Sequence, residues 1–276
     1  MAKKYLFDAG SANSYYITME NNERIDFSFC VFTENDPDHI IPKEATEDIN
    51  IIIKKIKKAN PQNLRLGSLR DEHVQLILPF IKHIKNLSIH SAYLTDFTFI
   101  EELKEIQGVE IIWNLKATSL WDMKKNPLLK FVHMTNANKL VNFNGLISSN
   151  VEHLAIYGCN YFSSFTPKLE IPDPSFLLKM PKLKELELHI KKTESDSWYL
   201  SFFSKFTFLN RLNIPYKYFS FEEFALLSKN LPFTKGLEPY WKLGDKYHII
   251  GRRTPSVETI EEARKWETKY NEIKNR

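Results

Sequence analysis

Three histidines in the middle of the chain, His133, His153 and His189, are the side chains best suited to holding a metal ion. Neutral imidazole is a common zinc ligand, and two histidines on neighbouring strands would approach ligand geometry. A zinc site needs further donors, however, and Glu187 is only a distant candidate. We therefore expect these histidines to be polar surface or interface residues, and we predict no metal site and no cofactor.

The segment "FDAGSANS", residues 7–14, is a second place where chemistry is conceivable. Its aspartate among small residues, from Asp8 to Ser14, resembles the first phosphate-binding segment of sugar kinases and actin-like ATPases. The resemblance implies a nucleotide-binding or catalytic protein that uses this segment. Those ATPases also need a second aspartate-containing phosphate loop and an adenosine site, and the sequence shows neither. A plain turn after a short strand is the competing interpretation, and the nucleotide hypothesis stays an alternative.

The two cysteines, Cys30 and Cys159, are too few for a disulfide framework and are expected to be reduced thiols. Cys159 is conceivable as a nucleophile, but its place in the repeat described below points it inward, so a packed thiol is expected. The patterns GxxxxGKS/T, HExxH, GxSxG and CxxC do not occur. We therefore predict that the protein is not an enzyme.

An internal repeat predicts the elements that position these residues. The pattern apolar-x-x-apolar-x-apolar fits seven segments, at intervals of 23, 25, 20, 22, 32 and 26 residues. Between them, "DFTFIEELKEI" and "FEEFALLSKNL" show helical or near-helical apolar spacing. One such unit cannot bury its own apolar face, so stacked units are expected to share a continuous core. The segments are "PQNLRL" from Pro61, "IKNLSI" from Ile84, "VEIIWN" from Val109, "LKFVHM" from Leu129, "VEHLAI" from Val151, "LKELEL" from Leu183 and "LNRLNI" from Leu209.

This spacing resembles the leucine-rich repeat family, whose repeats of roughly 20–29 residues follow the pattern L-x-x-L-x-L-x-x-N/C-x-L. The resemblance covers about residues 61–231. It implies a right-handed α/β solenoid of about seven repeats, with a parallel concave β-sheet and helices or turns on the convex side. The ninth place, where Asn or Cys links neighbouring turns, conforms only at Cys159. The other ninth places hold Leu69, Ala92, Ala117, Ala137, Lys191 and Lys217.

The concave face of this predicted sheet is the expected partner-binding surface. Side chains alternate across a strand, so the third, fifth and seventh places of each repeat are expected to face outward. The middle strands then present an apolar patch between polar residues, and such patches usually mark interaction sites. Trp and Tyr are frequent hot spots in them. The predicted partner-binding residues are Ile111, Trp113, Leu115, Phe131, His133, His153, Tyr157, Glu185 and Glu187.

Two alternatives remain open for this face. The insert at residues 160–178 carries four aromatic residues and is able to fold over the patch. An end cap is the other candidate for this cover. The aromatic rings and histidines also suit single-stranded nucleic acid, since bases stack on such rings. Glu185 and Glu187 argue against nucleic acid, and a net charge of +4 is too small to favour it.

Both ends of the repeat array are predicted to be capped, because a solenoid otherwise exposes its core. Residues 1–60 are assigned to an N-terminal cap, a hairpin around "ENNE" followed by the amphipathic helix "TEDINIIIKKIKKAN". Residues 61–231 form the repeat domain. Residues 232–276 form a C-terminal cap, with a hairpin that turns at Gly244-Asp245 and a final helix capped by Ser256.

The composition is that of an ordinary globular protein, with 43% hydrophobic and 26% charged residues. The first apolar run is too short for a signal peptide, and no window approaches the roughly 18 apolar residues of a membrane helix. Abundant Lys, Asn, Ile and Phe are common in AT-rich bacterial genomes. We therefore expect a monomeric, cytoplasmic bacterial protein. Its predicted function is that of a non-enzymatic scaffold, which binds an unknown protein partner on the concave face of a leucine-rich repeat solenoid.

Overall fold

A computed structural model of the chain describes residues 16–18, 24–26, 49–67, 69–90, 92–114, 116–158, 168–191, 200–216 and 218–276. The strands are β1 (Tyr16–Thr18), β2 (Arg24–Asp26), β3 (Asn63–Gly67), β4 (Asn86–His90), β5 (Gly108–Ile112), β6 (Phe131–Thr135), β7 (His153–Tyr157), β8 (Glu185–His189), β9 (Arg211–Asn213), β10 (Tyr240–Leu243), β11 (Lys246–Ile249) and β12 (Ser256–Val257). The α-helices are α1 (Ile49–Ala59), α2 (Asp71–Ile77), α3 (Leu200–Phe203), α4 (Phe221–Asn230) and α5 (Ile260–Asn275). Short 3-10 helices cover Leu78–Phe80, Thr98–Glu102, Met123–Lys125, Asn144–Leu146 and Pro174–Lys179. No helix in these ranges is long and apolar enough to cross a membrane.

The main sheet consists of seven parallel strands, β3 to β9, whose order in the sheet is their order along the chain. A parallel pair needs a crossover connection, so each interval holds one strand and one return segment. The predicted α/β class and the side-by-side, co-directional arrangement of the seven segments are confirmed. The residues paired in register across the sheet begin with Asn63, Asn86, Gly108, Phe131, His153, Glu185 and Arg211, at intervals of 23, 22, 23, 22, 32 and 26.

One face of this sheet forms the core. Because side chains alternate along a strand, the second and fourth residues of each five-residue strand point to the same side. All of them are buried. They pack in one continuous cluster against apolar side chains of the return segments, such as Phe97, Trp121 and Phe143. The core-facing strand residues are Leu64, Leu66, Leu87, Ile89, Val109, Ile111, Val132, Met134, Leu154, Ile156, Leu186, Leu188 and Leu212.

The register predicted for β5 was wrong by three residues. In the structure Val109 and Ile111 lie in the core, with Ile111 paired to Met134, and the apolar residue that begins the repeat is Ile106. The segment "IQGVEII" satisfies the apolar pattern from Ile106 with three hydrophobic residues, whereas the start at Val109 puts Asn114 in the third apolar place. With this start the ninth place is Asn114 and not Ala117, and Asn is one of the two residue types that the leucine-rich repeat pattern has there.

The return segments contain less α-helix than their apolar spacing suggests. "DFTFIEELKEI" forms only a 3-10 helix over Thr98–Glu102, whereas "FEEFALLSKNL" forms the regular helix α4. A 22-residue interval that contains a five-residue strand leaves 17 residues to cross the core twice, which favours tight 3-10 turns. The helix α4 starts with a capping box between Ser220 and Glu223, in which each side chain bonds the other's backbone N–H.

The ends of the chain carry small antiparallel sheets. Strands β1 and β2 pair with each other, and β10, β11 and β12 form a three-stranded sheet in that order. The predicted turn at Gly244-Asp245 is confirmed, and the φ of Gly244 is +60°. The final helix is confirmed, but its cap is Thr259 with Glu262 and not Ser256, which belongs to β12. Burial raises the pKa of Tyr270 in α5, whose hydroxyl donates to the carbonyl of Phe224 at 2.8 Å.

The last strand of the main sheet is covered on its far side by a short piece of chain. Lys235 makes a parallel bridge to Arg211. The N–H of Lys235 donates to the carbonyl of Asn210, and the N–H of Leu212 donates to the carbonyl of Lys235, both at 2.9 Å. Next to it, Gly236 has a φ of +93°, and a Cβ there would lie 2.2 Å from the Leu212 carbonyl oxygen. The far edge of β9 is therefore paired at this one bridge.

Candidate functional site on the outer face of the sheet

The outer face of the main sheet is the face opposite the core, and it carries the first, third and fifth side chains of β3 to β8 and the first and third of β9. Its middle row runs across all seven strands and holds both acidic and basic residues. Since parallel strands lie about 4.8 Å apart, consecutive members of a row are within reach of one another. The middle row consists of Arg65, Ser88, Glu110, His133, Ala155, Glu187 and Asn213.

A buried hydrogen-bond network is centred on Glu110. The hydroxyl of Ser88 donates to Oε2 of Glu110 at 2.5 Å, and Nδ1 of His133 lies 3.1 Å from Oε1. On the other side of the imidazole, Nε2 lies 3.0 Å from the hydroxyl oxygen of Thr135. Glu110 is 0% exposed, so its carboxylate depends on these partners for the hydrogen bonds that water would otherwise supply.

The charge state of Glu110 follows from these partners. Burial opposes ionisation of its carboxyl group, but the hydrogen bond and the charge of His133 outweigh it, with further help from Arg65 and Ser88. The pKa of Glu110 is therefore lowered from its usual value of 4.5. An ionised carboxylate with Ser88 and His133 as hydrogen-bond partners therefore occupies the centre of this face.

A second network lies beside the first one, over β7 to β9. The hydroxyl of Tyr157 donates to Oε2 of Glu187, and Nδ2 of Asn213 donates to the same oxygen at 3.2 Å. In the middle row, Ala155 stands between His133 and Glu187. Its small side chain leaves room for the Tyr157 phenol to reach Glu187. The Tyr157 ring also meets His133 edge-on, with the ring centroids 5.4 Å apart, so the two networks touch.

The N-terminal edge of the outer face carries a third contact. The ring of Phe131 stacks on His153, with centroids 4.5 Å apart and planes 9° apart. Nδ1 of His153 lies 3.3 Å from Oε2 of Glu185. The imidazole thus stands between an apolar ring and a carboxylate, which fixes the position of Glu185 on β8.

Trp113 is the most exposed of the predicted partner-binding residues whose side chains the structure describes, at 36%. It follows β5 directly and has a φ of +58°, and its N–H donates to the carbonyl of Thr135 at 2.8 Å. Its ring lies 5.0 Å from that of His90. A non-glycine residue with positive φ is uncommon, so this indole is held in place by a constrained backbone.

The other predicted site residues are distributed differently from the expected apolar patch. Ile111 lies in the core because of the three-residue shift in β5, and Leu115 lies outside the described residues. Phe131, His133 and Tyr157 are on the outer face but buried, while His153, Glu185 and Glu187 are half-buried. The burial of the middle strands favours the alternative in which this part of the face is covered. Phe176 of the insert is not the cover, since it stacks on Phe143 in the core.

The metal hypothesis gains no support from this geometry. His133 and His153 each pair with a different carboxylate, and burial lowers the pKa of His189 although Glu187 opposes the shift. Within the ranges that the structure describes, no group of three or more His, Cys, Asp or Glu side chains is placed to hold a metal ion. Cys159 and the segment Asp8 to Ser14 lie outside those ranges.

Thr135, His133 and Glu110 have the order of a hydroxyl, a base and an orienting carboxylate, which is the arrangement of a nucleophilic triad. Sequence reasoning missed it, because the register error removed Glu110 from the outer face. An acyl substrate would need access to the hydroxyl, and Thr135 is only 7% exposed. The geometry therefore fits a chain of structural hydrogen bonds better than a catalytic site.

A cavity of about 570 Å³ lies away from the outer face, between α2 and the 3-10 helix Thr98–Glu102. Asp96 among its carboxylates accepts from Thr98 two residues on, while other carboxylates make contacts between successive turns. Asp71 accepts from the N–H and the hydroxyl of Thr95, both at 2.9 Å, and Glu101 binds Nζ of Lys125 at 2.5 Å. These contacts hold return segments together.

Comparison with known proteins finds no family model that matches the sequence and no curated protein that matches it.

Proposed function

We propose that the chain is a leucine-rich repeat solenoid. The intervals of 22 and 23 residues between the first five strands, and the 26 residues before β9, support this proposal because they fall within the family's roughly 20–29 residues. Asn114 supports it further, since it stands at the ninth place and its Nδ2 reaches the carbonyl of Leu94 in the preceding turn at 3.0 Å. The 32-residue interval is then one repeat with an insertion.

We infer that this solenoid is a non-enzymatic scaffold for a protein partner, which it binds on the outer face. The observation that carries the proposal is the pair Glu185 and Glu187, two carboxylates on the same face of β8 that are half-buried and held by neighbours. His153 positions the first, and Tyr157 and Asn213 position the second. A pre-organised acidic pair favours a partner that presents a lysine or arginine.

Trp113 is the proposed apolar anchor of the same interface. It lies at the end of β5, three strand steps from β8, which is a lateral distance of about 14 Å. A protein interface spans 20–30 residues a side, so one partner can cover both the indole and the acidic pair. On this proposal the protein acts as a monomer in the cytoplasm, and the nucleotide hypothesis for Asp8 to Ser14 remains the alternative.

The test is affinity capture with the full chain from an extract of the source cells, quantified by mass spectrometry. Glu185→Gln combined with Glu187→Gln removes the charge of the proposed site, and Trp113→Ala removes the anchor. The matched control combines Glu105→Gln with Glu272→Gln, two exposed carboxylates away from the outer face. We expect a partner whose recovery falls at least tenfold with either site variant and is unchanged with the control. Equal recovery from all variants would contradict the outer-face site.

A further inference from the structure

The C-terminal sheet has an open edge that the outer-face proposal does not use. Its strand order is β10-β11-β12, so β10, residues 240–243, has a partner on one side only within the part of the chain that the structure describes. The turn Gly244-Asp245 closes a two-residue hairpin, in which the closing pair Leu243 and Lys246 exchanges hydrogen bonds. By alternation along β10, the N–H and C=O of Lys242 point to the open edge.

The two faces of this hairpin differ. Tyr240, Tyr247 and Ile249 share one face and pack against the core. Trp241 and Leu243 share the opposite face and are 39% and 66% exposed. Residues directly opposite in an antiparallel pair lie on the same face. Trp241 is accordingly stacked on His248, with ring centroids 5.5 Å apart and planes 20° apart.

Natural edge strands are usually protected by proline, a bulge or charged side chains. The strand "YWKL" has no proline, and it pairs with β11 residue by residue without a bulge. Its one charged side chain, Lys242, lies over the ring of Tyr247 on the inner face, 5.6 Å from the ring centroid. Within the described residues this edge has no strand partner, and it lies next to two exposed apolar side chains, so it is suited to receive an additional strand.

The charge around this edge indicates what kind of strand it receives. Residues 235–253 contain five basic and two acidic side chains, hence a net charge of +3, compared with +4 for the whole chain. One of the two acids, Glu238, is engaged by the backbone N–H of Gly236, at 3.2 and 3.0 Å from its two oxygens. Just beyond this stretch, Oε1 of Glu258 lies 4.0 Å from Nζ of Lys246. A segment that adds to β10 therefore meets the remaining excess of positive charge, which favours acidic residues.

We propose that β10 is a strand-addition site for an extended acidic segment of a partner protein. The backbone of the segment pairs with Lys242, and its alternate apolar side chains pack on Trp241 and Leu243. Its acidic side chains lie near the basic groups of residues 235–253. The site lies on the C-terminal sheet and is separate from Glu185, Glu187 and Trp113.

The test uses two fluorescein-labelled eight-residue peptides, one alternating Val and Asp and the other alternating Val and Lys. Each is titrated with the full chain and followed by fluorescence anisotropy. We expect the acidic peptide to bind at least tenfold more tightly than the basic one. Leu243→Glu should weaken binding at least tenfold, whereas Val141→Glu, at a site of similar exposure elsewhere (61%), should leave it unchanged.

The role of the backbone is tested by comparing two substitutions at one position. Lys242→Pro removes the edge N–H together with the charge and should weaken binding at least tenfold, while Lys242→Gln removes the charge alone and should weaken it two- to threefold. Circular dichroism verifies that each variant is folded. If both peptides bind equally, or if Leu243→Glu binds like the wild type, the proposal is overturned. It is also overturned if Leu243→Glu instead abolishes a dimer in light scattering or the binding of an oligothymidine.

Discussion

Asn114 ties two successive turns of the chain together, because its Nδ2 donates to the carbonyl of Leu94 at 3.0 Å. Its Oδ1 accepts from the N–H groups of Lys116 and Ala117, at 3.0 and 2.9 Å. The bonds to Leu94 and Ala117 are buried, so these two backbone groups have little access to water as an alternative partner. One amide thus satisfies polar groups that a tight turn would otherwise leave unpaired.

Asn114→Ala should lower the free energy of unfolding by about 3 kcal/mol, since unsatisfied buried polar groups each cost about 1–3 kcal/mol. Urea denaturation followed by circular dichroism measures the change. Asn210→Ala is the control, because Asn210 is exposed, and it should change stability by less than about 0.5 kcal/mol. Similar losses in the two variants would show that the Asn114 amide is not a tie between turns.

The Glu110 network predicts a specific loss of stability in acid. The folded-state pKa of Glu110 lies below its usual value of 4.5, so the carboxylate contributes stability that is fully present above about pH 4.5. That contribution is lost as the pH falls through the lowered folded value. Glu110→Gln should therefore be less stable than the wild type at pH 7, and the difference should shrink as the pH approaches 3.

Urea unfolding at pH 7, 5, 4 and 3 measures this difference. Glu105→Gln, at an exposed position, serves as the matched control and should follow the wild type at every pH. A gap between Glu110→Gln and the wild type that stays constant down to pH 3 would show that the Glu110 carboxylate is not stabilised by His133 and Arg65.

Alanine substitution of two glycines separates the stability cost of close packing from that of backbone strain. A Cβ on Gly145 would lie 1.9 Å from the carbonyl oxygen of Trp121, whereas a Cβ on Gly244 would meet nothing within 4 Å. Gly145→Ala should cost about 3 kcal/mol or more, because the backbone of the neighbouring turn must move. Gly244→Ala should cost only about 1–2 kcal/mol, the penalty of a left-handed conformation. Thermal unfolding of the two variants checks the order, and a larger loss for Gly244→Ala would contradict it.

Truncation of Tyr157 should destabilise the fold far more than truncation of Trp113, although the sequence suggested that both are surface residues. Tyr157 is 1% exposed and donates to Glu187, so Tyr157→Ala should destabilise the fold by about 3–5 kcal/mol. Trp113 is more than one-third exposed, and Trp113→Ala should cost less than about 1 kcal/mol. Calorimetric melting of both variants decides the matter, and a stable Tyr157→Ala protein would mean that the phenol is a surface group.

The parallel sheet was predictable because six of seven segments carry apolar residues at places that only one register satisfies. Leu186 and Leu188, for example, are flanked by Glu185 and Glu187, so polar neighbours mark the core-facing side. Strand β5 carries the same contrast, since Glu110 stands between Val109 and Ile111. The predicted start at Val109 was wrong because it put Asn114 in an apolar place, whereas the start at Ile106 gives three hydrophobic places.

The polar contacts of the site were not predictable for a different reason. The bond between Glu110 and His133 joins residues 23 apart, and it depends on strand register to within one residue. The cap of α5 was predicted wrongly because Ser256 and Thr259 are both good cap residues. Only Thr259 has a glutamate three places on, which the capping box requires.

The bridge of Lys235 along β9 has an evolutionary consequence. Tandem duplication lengthens such arrays, and a new copy attached after β9 would have to expel Lys235 and find another conformation for Gly236. Growth is easier where one parallel strand already follows another, between β3 and β9. Homologues with more repeats should therefore carry their additional copies internally and retain the final strand together with its glycine.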